Sequence, residues 1–182
     1  MMSIVYIFWM YVVLFGVIGA MRGWAKELLV TFSVILSLAV NHVLRVYIPI
    51  AKDMPDNDIN LFWVRTIVLA VLVFFGYQTV VRFQHLATRA VRERFQDTFI
   101  GSLFGGVNGY LIAGTILYYM HIAGYPFGQV ISRPTDQILS NGKSLASVVD
   151  QMMLYMPPQL LGDPGIYFAI IIAFVFVIVV YI

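Results

Sequence analysis

An all-α fold, a polytopic transmembrane helical bundle of five spans, is predicted by three features of the sequence. Of its 182 residues, 61% are hydrophobic and only 11% are charged, with a mean hydropathy of +0.89. That is too little charge to cover a water-soluble domain of this size, so the bilayer must be the main solvent. The apolar residues also fall into long continuous runs rather than alternating patterns. Only helices or closed barrels satisfy their backbone in lipid, and barrel strands would alternate. The third feature is a small or acidic residue at every fourth position: Asp97, Gly101, Gly105, Gly109 and Ala113. Each such step advances about 40° beyond a full helical turn, so the glycines form a bare, slowly winding ridge. Apolar side chains gain little by leaving lipid tails for one another. Membrane helices therefore associate where small residues let backbones come close.

A run of about 20 apolar residues crosses the hydrocarbon core as a helix. Five runs qualify, at 4–21, 28–48, 61–81, 99–122 and 166–182, and together they make residues 1–182 a single membrane domain. The first opens on Met1-Met2-Ser3-Ile4, with no basic segment and no small-x-small cleavage site, and reads as a retained helix. The second follows a short connection holding Arg22, Lys26 and Glu27. The fourth is the longest and is expected to tilt. The fifth has 17 residues, rich in Ile and Val. No acid lies deep in any of these runs, which argues against a carboxylate proton relay.

Two connections carry helical periodicity. Over 83–95, Leu86, Ala87, Ala90 and Val91 share a face, with Arg89, Arg92 and Glu93 elsewhere. This predicts a basic interfacial helix suited to an anionic inner leaflet. Over 144–156, Leu145, Val148, Val149, Met152, Met153 and Met156 recur at helical spacing. Ser144 can cap that helix and Pro157-Pro158 can stop it, so it is expected to lie flat on the outer face. Partner docking is the sharper reading of either surface.

Orientation follows Lys and Arg placement. The first and third connections hold Arg22, Lys26, Arg82, Arg89, Arg92 and Arg94, against Lys52, Arg133 and Lys143 in the second and fourth, with Arg45 and Arg65 at or inside helix ends. Six aspartates (Asp53, Asp56, Asp58, Asp136, Asp150 and Asp163) fall in the second and fourth. The prediction is an N-terminus outside, the basic connections inside and a C-terminus inside. Trp24, Arg89 and Arg92 are the expected interface anchors.

The candidate packing positions are Gly101, Gly105, Gly109 and Ala113, with Gly19 and Gly23 on the first helix. Gly19-Ala-Met-Arg22-Gly23-Trp24 shares its G-x-x-x-G-aromatic pattern with Gly105-Gly-Val-Asn108-Gly109-Tyr110, as a degenerate repeat would. Whether the ridge packs within the chain or between protomers stays open. Arg22, Glu27 and Asp97 are expected to make a polar contact on the inner face, Arg22 reaching headgroups or Asp97.

Catalytic chemistry finds no support. The chain has no cysteine and lacks H-E-x-x-H, G-x-S-x-G and phosphate-loop motifs. Ser102 and His121 lie about 28 Å apart along one helix. Ser33 and Ser37 near His42 have no oxyanion motif. His42 and His121 could together ligate a haem or pigment, but nothing else favours it, so no cofactor and no metal are expected. No basic run interleaved with aromatics points to nucleic acid. The expected partners are the lipid bilayer and either further copies of the chain or other membrane subunits.

Arg22-Gly23-Trp24 with Glu27 after the first span, and Asp97 followed by Gly101, Gly105 and Gly109, resemble the colicin V production protein family. The resemblance covers roughly residues 1–125. It implies a small multispan bacterial inner-membrane protein linked to toxin export and envelope homeostasis, without an established chemical activity. The chain departs from the family pattern at Val5 and Tyr6, where an aspartate is common, and at Thr98 and Asn108, where arginines are. Its fifth span is additional to the usual four. The functional expectation is a non-enzymatic component of envelope transport, toxin export or homeostasis, acting through helix packing and oligomerisation. Two alternatives are an accessory subunit of a respiratory or photosynthetic complex and a small channel or exporter.

Overall fold

The computed structural model describes residues 4–79, 91–128, 131, 134, 138 and 142–181. Those residues form α1 (Ile4–Arg22), α2 (Trp24–Tyr47), α3 (Pro49–Lys52), α4 (Ile59–Thr79), α5 (Val91–Ile122), α6 (Leu145–Met153), α7 (Pro157–Leu160) and α8 (Gly165–Tyr181). No strand occurs among them.

Four helices are long and apolar enough to cross a membrane: α1, α2, α4 and α5. This corrects the expectation of five spans. The C-terminal helix α8 has 17 residues, or about 25 Å at 1.5 Å per residue, against a hydrocarbon core of about 30 Å. It runs antiparallel along α2, with Tyr167 beside His42 and Phe174 beside Phe32. A C-terminus on the inner side rested on five crossings and loses that support.

The bundle is assembled around α2 and α5. The α1–α2 connection is one residue, Gly23, whose φ of 87° lies in the left-handed region that glycine adopts freely. That reversal lets Trp24 start the second helix, so Glu27 lies inside α2 rather than in a connection. α5 then packs antiparallel to α1, and α4 packs antiparallel to α2. Val30, Val34, Leu69 and Leu111 form one buried cluster between α2, α4 and α5.

The two amphipathic segments differ in how much of each is described. Most of 83–95 lies outside the described residues, and from Val91 the chain already belongs to α5. At 32 residues α5 is far longer than a bilayer core requires, so its first turns continue the membrane helix instead of forming a separate one. The 144–156 segment is α6 followed by a turn. Ser144 accepts a hydrogen bond from the Ser147 N–H at 3.1 Å, capping α6. Pro157 opens α7 at its first turn, where a missing N–H costs nothing. Val149, Met153 and Met156 bury themselves against Phe8, Phe62, Leu117, Tyr119 and Met120. The apolar face of α6 is thus taken by the chain's own bundle.

Candidate functional site: a buried polar cluster beside the α1–α5 crossing

The glycine ridge of α5 lies against α1 of the same chain. A Cβ added at Gly19 would collide with the Gly101 carbonyl and come within 2.7 Å of the Gly105 Cα. One added at Gly105 would strike the Phe15 carbonyl, and one at Gly109 would sit 2.7 Å from the Phe15 Cβ. No side chain fits between these backbones, so bare glycine on both helices sets their separation. Gly106, one position round the helix, has nothing within 4 Å of an added Cβ. Further along, Ala113 packs on the cluster around Phe8. Gly114 seats Pro157 of α7, whose Cδ would lie 2.8 Å from an added Cβ.

The close crossing brings three polar segments together at one end of the bundle. Glu27 is fully buried near the start of α2. Its Oε1 accepts from Arg22 Nη1 at 2.8 Å, and its Oε2 accepts from Asn108 Nδ2 at 2.8 Å. Asn108, also fully buried, donates to the Glu27 backbone carbonyl at 2.9 Å as well. Thr31 closes the set by donating to Asn108 Oδ1 at 2.7 Å. The Arg22 guanidinium lies 4.2 Å from the centre of the Tyr77 ring, a cation–π contact that ties α4 to the group. Every polar atom of the Asn108 side chain is thereby used, as a buried network requires.

Asp97 has a different part. Its Oδ1 accepts the Trp24 backbone N–H at 3.0 Å, supplying a cap that Gly23 cannot. A Cβ on Gly23 would come within 2.6 Å of that carboxylate. Glycine at 23 is therefore needed twice, for its dihedral angle and for its lack of a side chain. Arg22 pairs with Glu27 and not with Asp97, which corrects the expected pairing. Glu27 belongs to the first turn of α2 rather than to a connection, because Gly23 starts the helix earlier than hydropathy suggests.

The remaining candidates lie apart. Trp24 is half-buried at the start of α2. The Arg92 side chain and all of Arg89 fall outside what the structure describes. His42 contacts the Tyr167 hydroxyl at 3.1 Å and Asp163 at 3.4 Å, while His121 contacts the Tyr125 hydroxyl at 3.1 Å and Asp150 at 3.4 Å. The two histidines are thus engaged by separate partners. Ser33 and Ser37 donate back to the carbonyls of Leu29 and Val34 within α2.

Sequence reasoning missed Thr31, Tyr77 and Gly76. An added Cβ on Gly76 would strike the Ser33 hydroxyl, so α2 and α4 also meet through a small residue. A lone glycine in an apolar run was the available signal. The role of Asn108 had a stronger one, since an amide deep in a span needs partners.

Fold and cluster together define a small all-helical protein, with four helices long and apolar enough to cross a membrane and a polar group built into its tightest helix crossing. The family model described as Colicin V production protein matches residues 4–135, and the chain belongs to that family. The matched segment contains α1 to α5 and every residue of the cluster; α6, α7 and α8 follow it. No curated protein and no solved structure matches the chain.

Proposed function

We propose that this protein is a non-enzymatic component of the bacterial inner membrane, acting in envelope transport, toxin export or homeostasis through helix packing. The observation that carries this reading is the coincidence of the family match with the α1–α5 frame. The polar residues of the Glu27 cluster are spent on one another, which favours a structural use over an open catalytic one. Charge placement supports an N-terminus outside, with the α1–α2 and α4–α5 connections inside. Self-association, as part of this proposal, cannot draw on the ridge occupied by α1. The outward face of α1 is available instead, where Trp9, Met10, Val13 and Val17 are exposed.

A deletion strain of the host tests the reading. Secretion of a peptide toxin and survival in detergent should both fall, and the wild-type gene should restore them while Gly105→Leu should not. Unchanged secretion and survival in the deletion strain would overturn it.

A further inference from the structure

At the opposite end of the bundle from Glu27, the C-terminal parts of α2 and α5, the first turns of α4 and α8 and the α7 segment line a half-open cavity of about 210 Å³. This is smaller than the roughly 300 Å³ at which pockets for drug-sized ligands begin, and suits a small polar group. Two guanidiniums line it, Arg45 and Arg65, and both contact the same oxygen of Asp56 at 3.1 Å. Among the lining residues one carboxylate therefore serves two arginines, while Asp163, outside the lining, contacts the lining His42 at 3.4 Å. The two arginines are not equally committed. Arg45 uses Nη1 on the carbonyls of Ala51 and Met54, at 2.6 and 2.5 Å, and so holds the α3 turn. The hydrogen bond of Arg65 runs from Nη2 to the exposed Asp56, and its guanidinium otherwise lies over the Tyr119 ring at 5.3 Å. Arginine offers five donors, so among the described residues most of this fork is free for an acceptor although the side chain is only 14% exposed.

Asn41 supplies the complementary feature. It lines the same cavity, is 6% exposed, and donates from Nδ2 to the Arg65 carbonyl at 3.2 Å. Its Oδ1 is buried with no hydrogen-bond partner among the described residues. A buried acceptor left unpaired is costly, and this one belongs to a residue that lines the same cavity as the under-used guanidinium. The pair calls for one molecule carrying both an anionic oxygen and a nearby donor.

We propose that this cavity binds a small phosphodiester or phosphomonoester bearing an adjacent hydroxyl or ammonium group, with the phosphate on Arg65 and the donor on Asn41 Oδ1. A phospholipid headgroup and a free glycerol phosphate share that chemistry. The phosphate displaces Asp56 from part of the Arg65 fork, and bidentate Arg–phosphate geometry favours the exchange. The position at the ends of four helices is where headgroups would lie. The inference goes beyond the family reading and depends only on the bundle being in a membrane.

Full-length protein in nanodiscs, examined by native mass spectrometry, separates the possibilities. Phosphatidylglycerol and phosphatidylethanolamine should be retained over phosphatidylcholine, whose headgroup has no donor. Arg65→Gln should weaken retention of the first two about tenfold, the loss of one charge-assisted contact. Asn41→Leu should abolish the preference over phosphatidylcholine while leaving phosphatidylcholine retention unchanged, and its helical circular dichroism should match wild type. Displacement of the lipid by sn-glycerol 3-phosphate, with the same dependence on Arg65 and Asn41, would support the soluble source of the same chemistry. Equal retention of all three lipids would overturn the role of Asn41. Neither lipid nor glycerol phosphate responding to Arg65→Gln would overturn the site.

Discussion

Burying the Glu27 carboxylate inside a membrane helix is tolerable because each of its oxygens meets a donor on a different segment. Removing one donor leaves the acceptor without either protein or water, a penalty of about 1–3 kcal/mol. Asn108→Leu should therefore lower the thermal midpoint of the detergent-purified protein, whereas Val107→Leu, at a lipid-exposed neighbour, should leave it within error. Equal midpoints would show that the amide is not needed. Asp97 acts more weakly, as an exposed cap on the N-terminus of α2. Asp97→Ala should cost about 1 kcal/mol, the usual value of an N-cap. Asp97→Asn, which keeps an acceptor oxygen, should cost less, and a loss from Asn as large as that from Ala would contradict the capping role. Arg22, Glu27 and Asp97 could be singled out as polar residues near one membrane face. Their pairing could not be read, because Glu27 and Asp97 both offer a carboxylate to Arg22. Only the helix start at Trp24 puts Glu27 within reach and turns Asp97 to the backbone.

Among the elements, α1 and α5 are defined by what they lack. The ridge from Gly101 to Gly109 was legible as a small-residue stripe, since a spacing of four fixes a face on any helix. Its partner was not, because a bare ridge accepts any helix that brings small residues to it. The structure supplies Gly19 and Phe15 of the same chain. Neighbouring glycines on α5 give a sharp comparison. Gly105→Ala should destabilise the fold and lower detergent-extracted yield, because its methyl would strike the Phe15 carbonyl. Gly106→Ala meets open space and gains helix propensity of about 1 kcal/mol, so it should melt no lower than wild type. Similar losses from both would mean that the crossing is loose enough to admit a methyl. The α6 segment shows the opposite limit. Its Val149, Met153 and Met156 were readable as an apolar face, but lipid and protein are equally apolar covers for such a face.

For the whole molecule, the consequence is topology. Zero cysteines in the sequence make single-cysteine labelling clean. Asp53→Cys, in the exposed turn after α3, should react with a membrane-impermeant maleimide in intact spheroplasts. Gln96→Cys, exposed in the first turns of α5, should react only after permeabilisation. The reverse pattern would invert the protein. Composition and hydropathy by themselves determined that this is a helical membrane protein. Run length located α1, α2, α4 and α5, because the cost of an unsatisfied backbone in lipid acts on each segment separately. The four-residue spacing determined that α5 carries a face for close approach. Tertiary structure decided which helix fills that face, where α2 begins, which acid pairs with Arg22, and that α8 lies along α2 at 17 residues. Those outcomes depend on contacts between segments distant in sequence, where small differences in packing and hydrogen-bond reach choose among partners of the same chemistry.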